Sequence, residues 1–304
     1  VGGGIMKELV VISGKGGTGK TSIVAAFATL AKRKVLADCD VDAADLHLIL
    51  APKIIRRESF IAGREAIIRL EDCFGCGSCV DVCRFGAILP TSNEAGETLY
   101  AIDPLACEGC GVCVRTCPLD AIDFPERECG EWYVSDTRHG PMVHARLGIA
   151  AENSGKLVTR VRQAAHAIAE ERGLDLIIVD GPPGIGCPVI ASVTGVSLVL
   201  VVIEPTLSGI HDMKRVVELT RHFKIPTILC INKWDLNPTL ATRMEHEADQ
   251  AGIRMAGKIH YDPNVTRAQI AGQSLVDFQN GDLAGEFRSL WRNVHERLEQ
   301  HAAV

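Results

Sequence analysis

Lys7-Glu8-Leu9-Val10-Val11-Ile12-Ser13 runs directly into Gly14-Lys15-Gly16-Gly17-Thr18-Gly19-Lys20-Thr21, and this join decides the fold. A short apolar strand followed by G-x-x-x-x-G-K-[ST] and then a helix is the context that a phosphate-binding loop requires. The glycines let backbone N–H groups close on phosphate oxygens, and the N-terminus of the helix adds its dipole. Helical apolar spacing follows from Lys20 to Lys32, through Ile23, Ala26, Phe27 and Leu30. Lys34–Ala37 reads as the next strand, ending at Asp38 and Asp40. Gly14, Lys15, Gly16, Gly17, Thr18, Gly19, Lys20, Thr21 and Ser22 are therefore candidate nucleotide ligands. Lys20 would reach the β and γ phosphates and Thr21 would take Mg²⁺.

The same glycines formally fit the dinucleotide fingerprint, with Asp38 and Asp40 about 20 residues beyond, where a ribose-binding acid would sit. The paired Lys20-Thr21 decides against that reading, as does a second acid, Asp180, closing the strand Leu176–Val179. Asp180, followed by Gly181-Pro182-Pro183-Gly184, is a candidate for the Mg²⁺ shell, the alternative being a plain strand-end turn. Asp40 is the candidate for aligning the attacking water, or else a helix cap. Asn232-Lys233-Trp234-Asp235 fits a purine-reading loop, with Asn232 the candidate ligand. Gly155-Lys156 is not a second phosphate loop, because Ala150 and Leu157 break the pattern.

Eight of the twelve cysteines repeat one spacing: Cys73, Cys76, Cys79 and Cys83, then Cys107, Cys110, Cys113 and Cys117, the second set followed by Pro118. This is the ligand pattern of a protein with two [4Fe-4S] clusters, in which the fourth cysteine of each run serves the other cluster. One cluster is thus expected on Cys73, Cys76, Cys79 and Cys117, the other on Cys107, Cys110, Cys113 and Cys83. The repeat extends past the ligands, since Ala87-Ile88 recurs as Ala121-Ile122 at the same offset of 34. Arg84 replaces the proline in the first copy. Residues 66–126 carry ten acids against three bases, which argues against nucleic acid and suits a basic protein face.

Further along, Trp132–Asp136 and Met142–Arg146 read as a hairpin around Arg138-His139-Gly140. A helix over 155–172 is followed by strands at 174–180, 196–203, 226–231 and 253–259, alternating with helices at 188–194, 208–222, 238–251 and 284–300. Such alternation means a mostly parallel sheet sandwiched by helices. The expected division is a P-loop domain in two parts, 1–65 and 127–304, around a ferredoxin-like α+β insert at 66–126.

Lys15 inside its loop, with Asp38-Cys39-Asp40, Asp180-Gly-Pro-Pro-Gly and Glu204-Pro205-Thr206, resembles the MinD/Mrp/ParA ATPases, relatives of nitrogenase iron protein. The resemblance covers most of residues 6–65 and 127–304. It implies ATP rather than GTP and a homodimer, or a heterodimer with a similar ATPase. It also implies that Lys15 of one subunit reaches the other's phosphates, so Lys15, Lys20 and Asp40 are the expected catalytic residues. It leaves two functions open. One is ATP-gated electron delivery to a redox partner; the other is maturation of a metal-cofactor protein. The Mrp-like bridging Cys-x-x-Cys is absent after Cys230. Spatial regulation of the MinD kind would need no clusters, and MinD's membrane-binding helix has no basic counterpart here.

Composition fits an ordinary α/β chain: 304 residues, 47% apolar, 5% aromatic, net charge −6. No apolar run approaches the roughly 18 residues of a membrane span. Residues 1–5 are left out of the expected fold, and a reducing cytoplasm without a secretory signal is expected from the N-terminal sequence and the cysteine usage. Leu283, Phe287, Leu290, Trp291, Val294 and Leu298 form a stripe expected to face the core. Cys187 reads as a buried small residue, or alternatively as a ligand at a dimer axis. Cys39, Cys129 and Cys230 read as structural, and His139 and His144 as surface residues at a turn.

Overall fold

Strand Lys7–Ser13 has every residue from Glu8 to Ser13 buried, as befits a strand covered on both faces. The computed structural model describes residues 6–148 and 153–301; residues 1–5 and Ala150 lie outside them. Lys7–Ser13 is an interior strand of a nine-stranded sheet, beside the middle strand Leu176–Pro183. The order is Arg254–Ile259, Thr227–Asn232, Leu198–Ile203, Lys7–Ser13, Leu176–Pro183, Lys34–Asp38, Gly140–Leu147, Glu126–Thr137 and Lys53–Arg64. The first seven run parallel. In this register Val11 lies beside Asp180, and Asp180 beside Asp38, so two acids meet at the carboxyl ends of neighbouring strands. Ligands of open parallel sheets bind at that edge.

The helix Lys20–Leu30 starts at Gly19 and buries Ile23, Val24, Ala26 and Phe27 against the sheet. Phe27 meets Trp291 of the last helix, Asp282–His301, with ring centroids 5.0 Å apart. Leu283, Phe287, Leu290, Val294 and Leu298 of that helix are all within 3% of complete burial, so its stripe belongs to the core as expected. Each such side chain contributes roughly 1.5–3 kcal/mol. No helix among the described residues is long and apolar enough to cross a membrane.

The chain separates into two compact units. The nucleotide-loop unit takes the chain up to Glu58, Glu131–Leu147 and Ser154 onward; the cysteine unit is built mainly of Ser59–Gly130. These bounds are wider than the 66–126 read from the cysteines, because the strands Lys53–Arg64 and Glu126–Thr137 are each 12 residues long. The hairpin expected at 132–146 is correspondingly longer at its first strand. Helices Asn264–Ile270 and Leu275–Phe278 were not signalled by periodicity. Strand Leu176–Pro183 runs three residues past Asp180, through the Gly-Pro-Pro sequence.

Within the cysteine unit the two halves interlock. Ile68 pairs with Ile122, and Ile88 with Ile102, in two small antiparallel sheets. With an offset of 34 these are one pairing seen twice: the start of each half meets the end of the other. Short helices Ser78–Val82 and Val112–Thr116 occupy equivalent places, each preceded by a left-handed glycine, Gly77 and Gly111. The residues between Cys83 and Cys107 extend as a hairpin, Ile88–Ser92 with Thr98–Ile102.

Candidate functional site

Lys20 is the first residue of its helix and is buried, with its ammonium 2.5 Å from Asp180 Oδ1 and 3.4 Å from Asp40 Oδ2. Burial works against that charge, but Asp180 and Asp40 outweigh it and hold the lysine above its usual pKa. Asp38, fully buried, is pushed well above the carboxylate range by burial and then by the charge of Asp180. Asp38 accepts from the backbone N–H groups of Asp40 and Leu46, fixing the turn that carries Asp40. Burial also raises Asp40, against the opposing pull of Lys20. Asp180 Oδ2 is buried with no hydrogen-bond partner, as is Thr18 Oγ1. A cationic or hydrogen-bonding ligand would satisfy the carboxylate oxygen.

Thr18, Lys20 and Asp40 line a cleft of about 390 Å³, with Asp180 and Asp38 buried behind them, within the range of small-molecule sites. Gly16 to Ser22, Asp40 and Asn232 all line it. Gly14 precedes it, and a side chain there would collide with Asp212. Gly19 has φ +86°, and a Cβ on it would sit 2.3 Å from Asn232 Nδ2. Asn232 itself is buried and donates to the Thr18 carbonyl at 2.7 Å, so its amide supports the loop directly.

Other contacts around the cleft bring together residues distant in the chain, and Lys233 was legible only as part of the loop Asn232–Asp235. Lys233, at φ +56°, donates to the Gly17 carbonyl at 3.1 Å and to Glu204 Oε1 at 2.5 Å. Glu204 Oε2 lies 3.6 Å from Lys15 Nζ, so one carboxylate faces both lysines. Gln269 donates to Ser22 Oγ at 2.8 Å, and Tyr261, Asp262 and Thr266 complete the far wall. The paired lysines of a glutamate were readable only as part of a motif; Gln269 is 247 residues from its partner and had no signal at all.

The repeated cysteines line two cavities in the other unit. Cys73, Cys76, Cys79 and Cys117 surround one. Cys83, Cys107, Cys110 and Cys113 surround the other. All twelve cysteines are free thiols. Among the described residues no group of three or more His, Cys, Asp or Glu side chains is placed to hold a single metal ion. Cys39, Cys129 and Cys230 are buried, as expected. Cys187 is exposed rather than buried, because it opens a helix at the loop after Pro183. His144 is also corrected: it is buried, hydrogen-bonded to Ser135 at 2.9 Å and stacked on Tyr133.

The CobQ/CobB/MinD/ParA nucleotide binding domain description matches residues 9–276. The chain is 39% identical to Uncharacterized protein MJ0578 of Methanocaldococcus jannaschii over 238 residues, 77% of this chain and 80% of that protein. It is 25% identical to Uncharacterized protein MJ0579 of the same organism over 284 residues, 90% and 94% of the two chains. Among solved structures it is similar to the septum site-determining protein MinD complexed with Mg-ADP from Pyrococcus horikoshii OT3. That match has a TM-score of 0.60 and 16% identity, covers 99% of this chain and 100% of the other, and shows a shared fold. The chain belongs to the CobQ/CobB/MinD/ParA nucleotide-binding family.

Proposed function

We propose that this protein is a dimeric, Mg²⁺-dependent ATPase whose nucleotide state is coupled to two [4Fe-4S] clusters, for electron delivery to a partner protein. The carrying observation is the division of eight free thiols between two cavities, three from one repeat and the last from the other in each. A cubane binds each cysteine on its own iron, so its ligands ring a cavity rather than converge on a point. That arrangement fits the donor set, and a structural disulfide framework does not. Bound clusters would supply one-electron chemistry.

At the nucleotide loop the chain's own charges account for the chemistry. Lys20 now spends its charge on Asp180 and Asp40. On binding Mg-ATP, Lys20 would turn to the phosphates while Asp180, joined by Thr21, faces the cation, so each charge exchanges one partner for another. Loop amides and Lys20 stabilise developing phosphate charge, and Asp40 aligns water. Lys15 would act on the second subunit's phosphates, as the family resemblance implies. The MinD of P. horikoshii was solved with Mg-ADP, which supports nucleotide as the ligand here.

The test is anaerobic reconstitution, with iron and sulfide counted per chain and ATP hydrolysis assayed, followed by EPR with and without Mg-ATP. Two clusters and a nucleotide-dependent change in their signal are expected. A full iron complement indifferent to ATP, combined with cluster transfer to an apo-protein, would instead favour cofactor maturation.

A further inference from the structure

The halves of the cysteine unit repeat so closely that their few differences stand out, and the most informative lies beside the ligands. Ser78 and Val112 are equivalent, each opening a short helix after a left-handed glycine. Ser78 Oγ lies 3.4 Å from Cys76 Sγ. A valine has no such atom to offer Cys110. A cluster-bound cysteine is a thiolate and can only accept, so the Ser78 hydroxyl would be the donor. The backbone N–H of Ala121 also donates to Cys117 Sγ at 3.3 Å, adding a second donor to the same cysteine set.

The aromatic covers differ in the same sense. A Cβ on Gly77 would lie 3.4 Å from the Tyr100 hydroxyl, whereas one on Gly111 would lie 3.1 Å from a ring carbon of Phe124. Tyr100 also lines the first cavity. Other influences do not all run one way: Cys76 and Cys110 are both exposed, each cavity has one carboxylate on its rim, Asp72 and Glu108, and Arg127 donates to the Cys107 carbonyl at 3.4 Å beside the second set. Asp72 is further offset by Arg69, 2.6 Å away. Hydrogen bonds to sulfur stabilise the added negative charge of the reduced state, and they are a recognised control on cluster potential.

We infer that Ser78 makes the cluster site of Cys73, Cys76, Cys79 and Cys117 the more easily reduced of the two, so that it is the resting place of the first electron. This rests on the cluster reading above. With clusters held by the two cysteine sets, internal transfer would oxidise the one on Cys83, Cys107, Cys110 and Cys113 and reduce the one on Cys73, Cys76, Cys79 and Cys117 by one electron, originally supplied by a low-potential donor such as dithionite. The direction of flow within the unit is thereby set by one hydroxyl that the repeat does not share.

The experiment is a potentiometric EPR titration of the reconstituted full chain, with iron and sulfide counted for every sample. Wild type is expected to reduce in two steps. Ser78→Ala should move the upper step to lower potential and leave the lower step in place. Val112→Ser, at an exposed position, should raise the lower step and narrow the gap. A full iron complement with unmoved midpoints in both variants overturns the inference while leaving the cluster sites standing. Iron far below two clusters in wild type overturns both.

Discussion

Around Lys20 the chain gathers charged side chains that already answer one another, whereas around Cys76 and Cys110 it gathers eight thiols with no disulfide among them. The nucleotide unit also has a deep apolar core, in which Leu9, Ile23, Phe27, Leu36, Ile178 and Leu200 are completely buried. Among the described residues of the cysteine unit, a small buried cluster joins Ala66, Ile68, Cys79, Ile88 and Ile122, with five further cysteines packed around it. One unit is folded by packing and presents a prepared site. The other has its repeated cysteines as part of its core, so under the cluster reading proposed above its order should depend on bound clusters, as in small metal-dependent domains.

The largest expected effect tests that contrast. Stripping iron should release backbone amides between Ile67 and Asp123 to hydrogen exchange, while those of Lys7–Ser13 and Leu198–Ile203 stay protected. Retained protection in the cysteine unit would erase the distinction. Next, Lys20→Ala should abolish nucleotide binding in a calorimetric titration and leave the iron count unchanged. It should also cost about 3–5 kcal/mol of stability, since Asp180 and Asp40 lose their buried counter-charge. Cys110→Ser should remove about half the iron, one of two four-cysteine sets being broken; full iron would exclude Cys110 as a ligand.

The smallest effect concerns pH. Burial, with a further contribution from His47, holds His144 down to about 4, against 6.5 unfolded. The neutral ring is favoured in the folded state, so its contribution is complete above pH 6.5 and is lost as pH falls toward 4. The difference amounts to about 3 kcal/mol. Denaturant titrations at pH 7 and 4.5 should show this decline, and His144→Gln should flatten it. An unchanged slope would remove His144 as the cause and place acid sensitivity elsewhere in the nucleotide unit.

Where one chemical constraint dominates locally, the sequence was readable. The loop Gly14–Thr21, the alternation from Leu176 to Ile259 and the 34-residue repeat all carry their reason within a few residues. The strand Lys53–Arg64 did not, because it is largely exposed and its apolar and charged residues follow no two-residue period. His144 was misplaced because a turn nearby says nothing of the neighbouring strand Lys34–Asp38. Lys233 and Gln269 depend on partners distant in the chain, and spacing alone does not reveal them. Element type follows short-range pattern, while burial and pairing follow topology.

The two 12-residue strands have a consequence for heredity. Ser59 Oγ donates to Glu128, Cys129 Sγ to the Ala62 carbonyl, and the Glu65 N–H to the Pro125 carbonyl. The two strands are thus tied together as far as Glu65 and Pro125. If the codons between them were removed in frame, the remaining strands would need only a short turn to close, so the hairpin that carries the cysteines is expected to form without them.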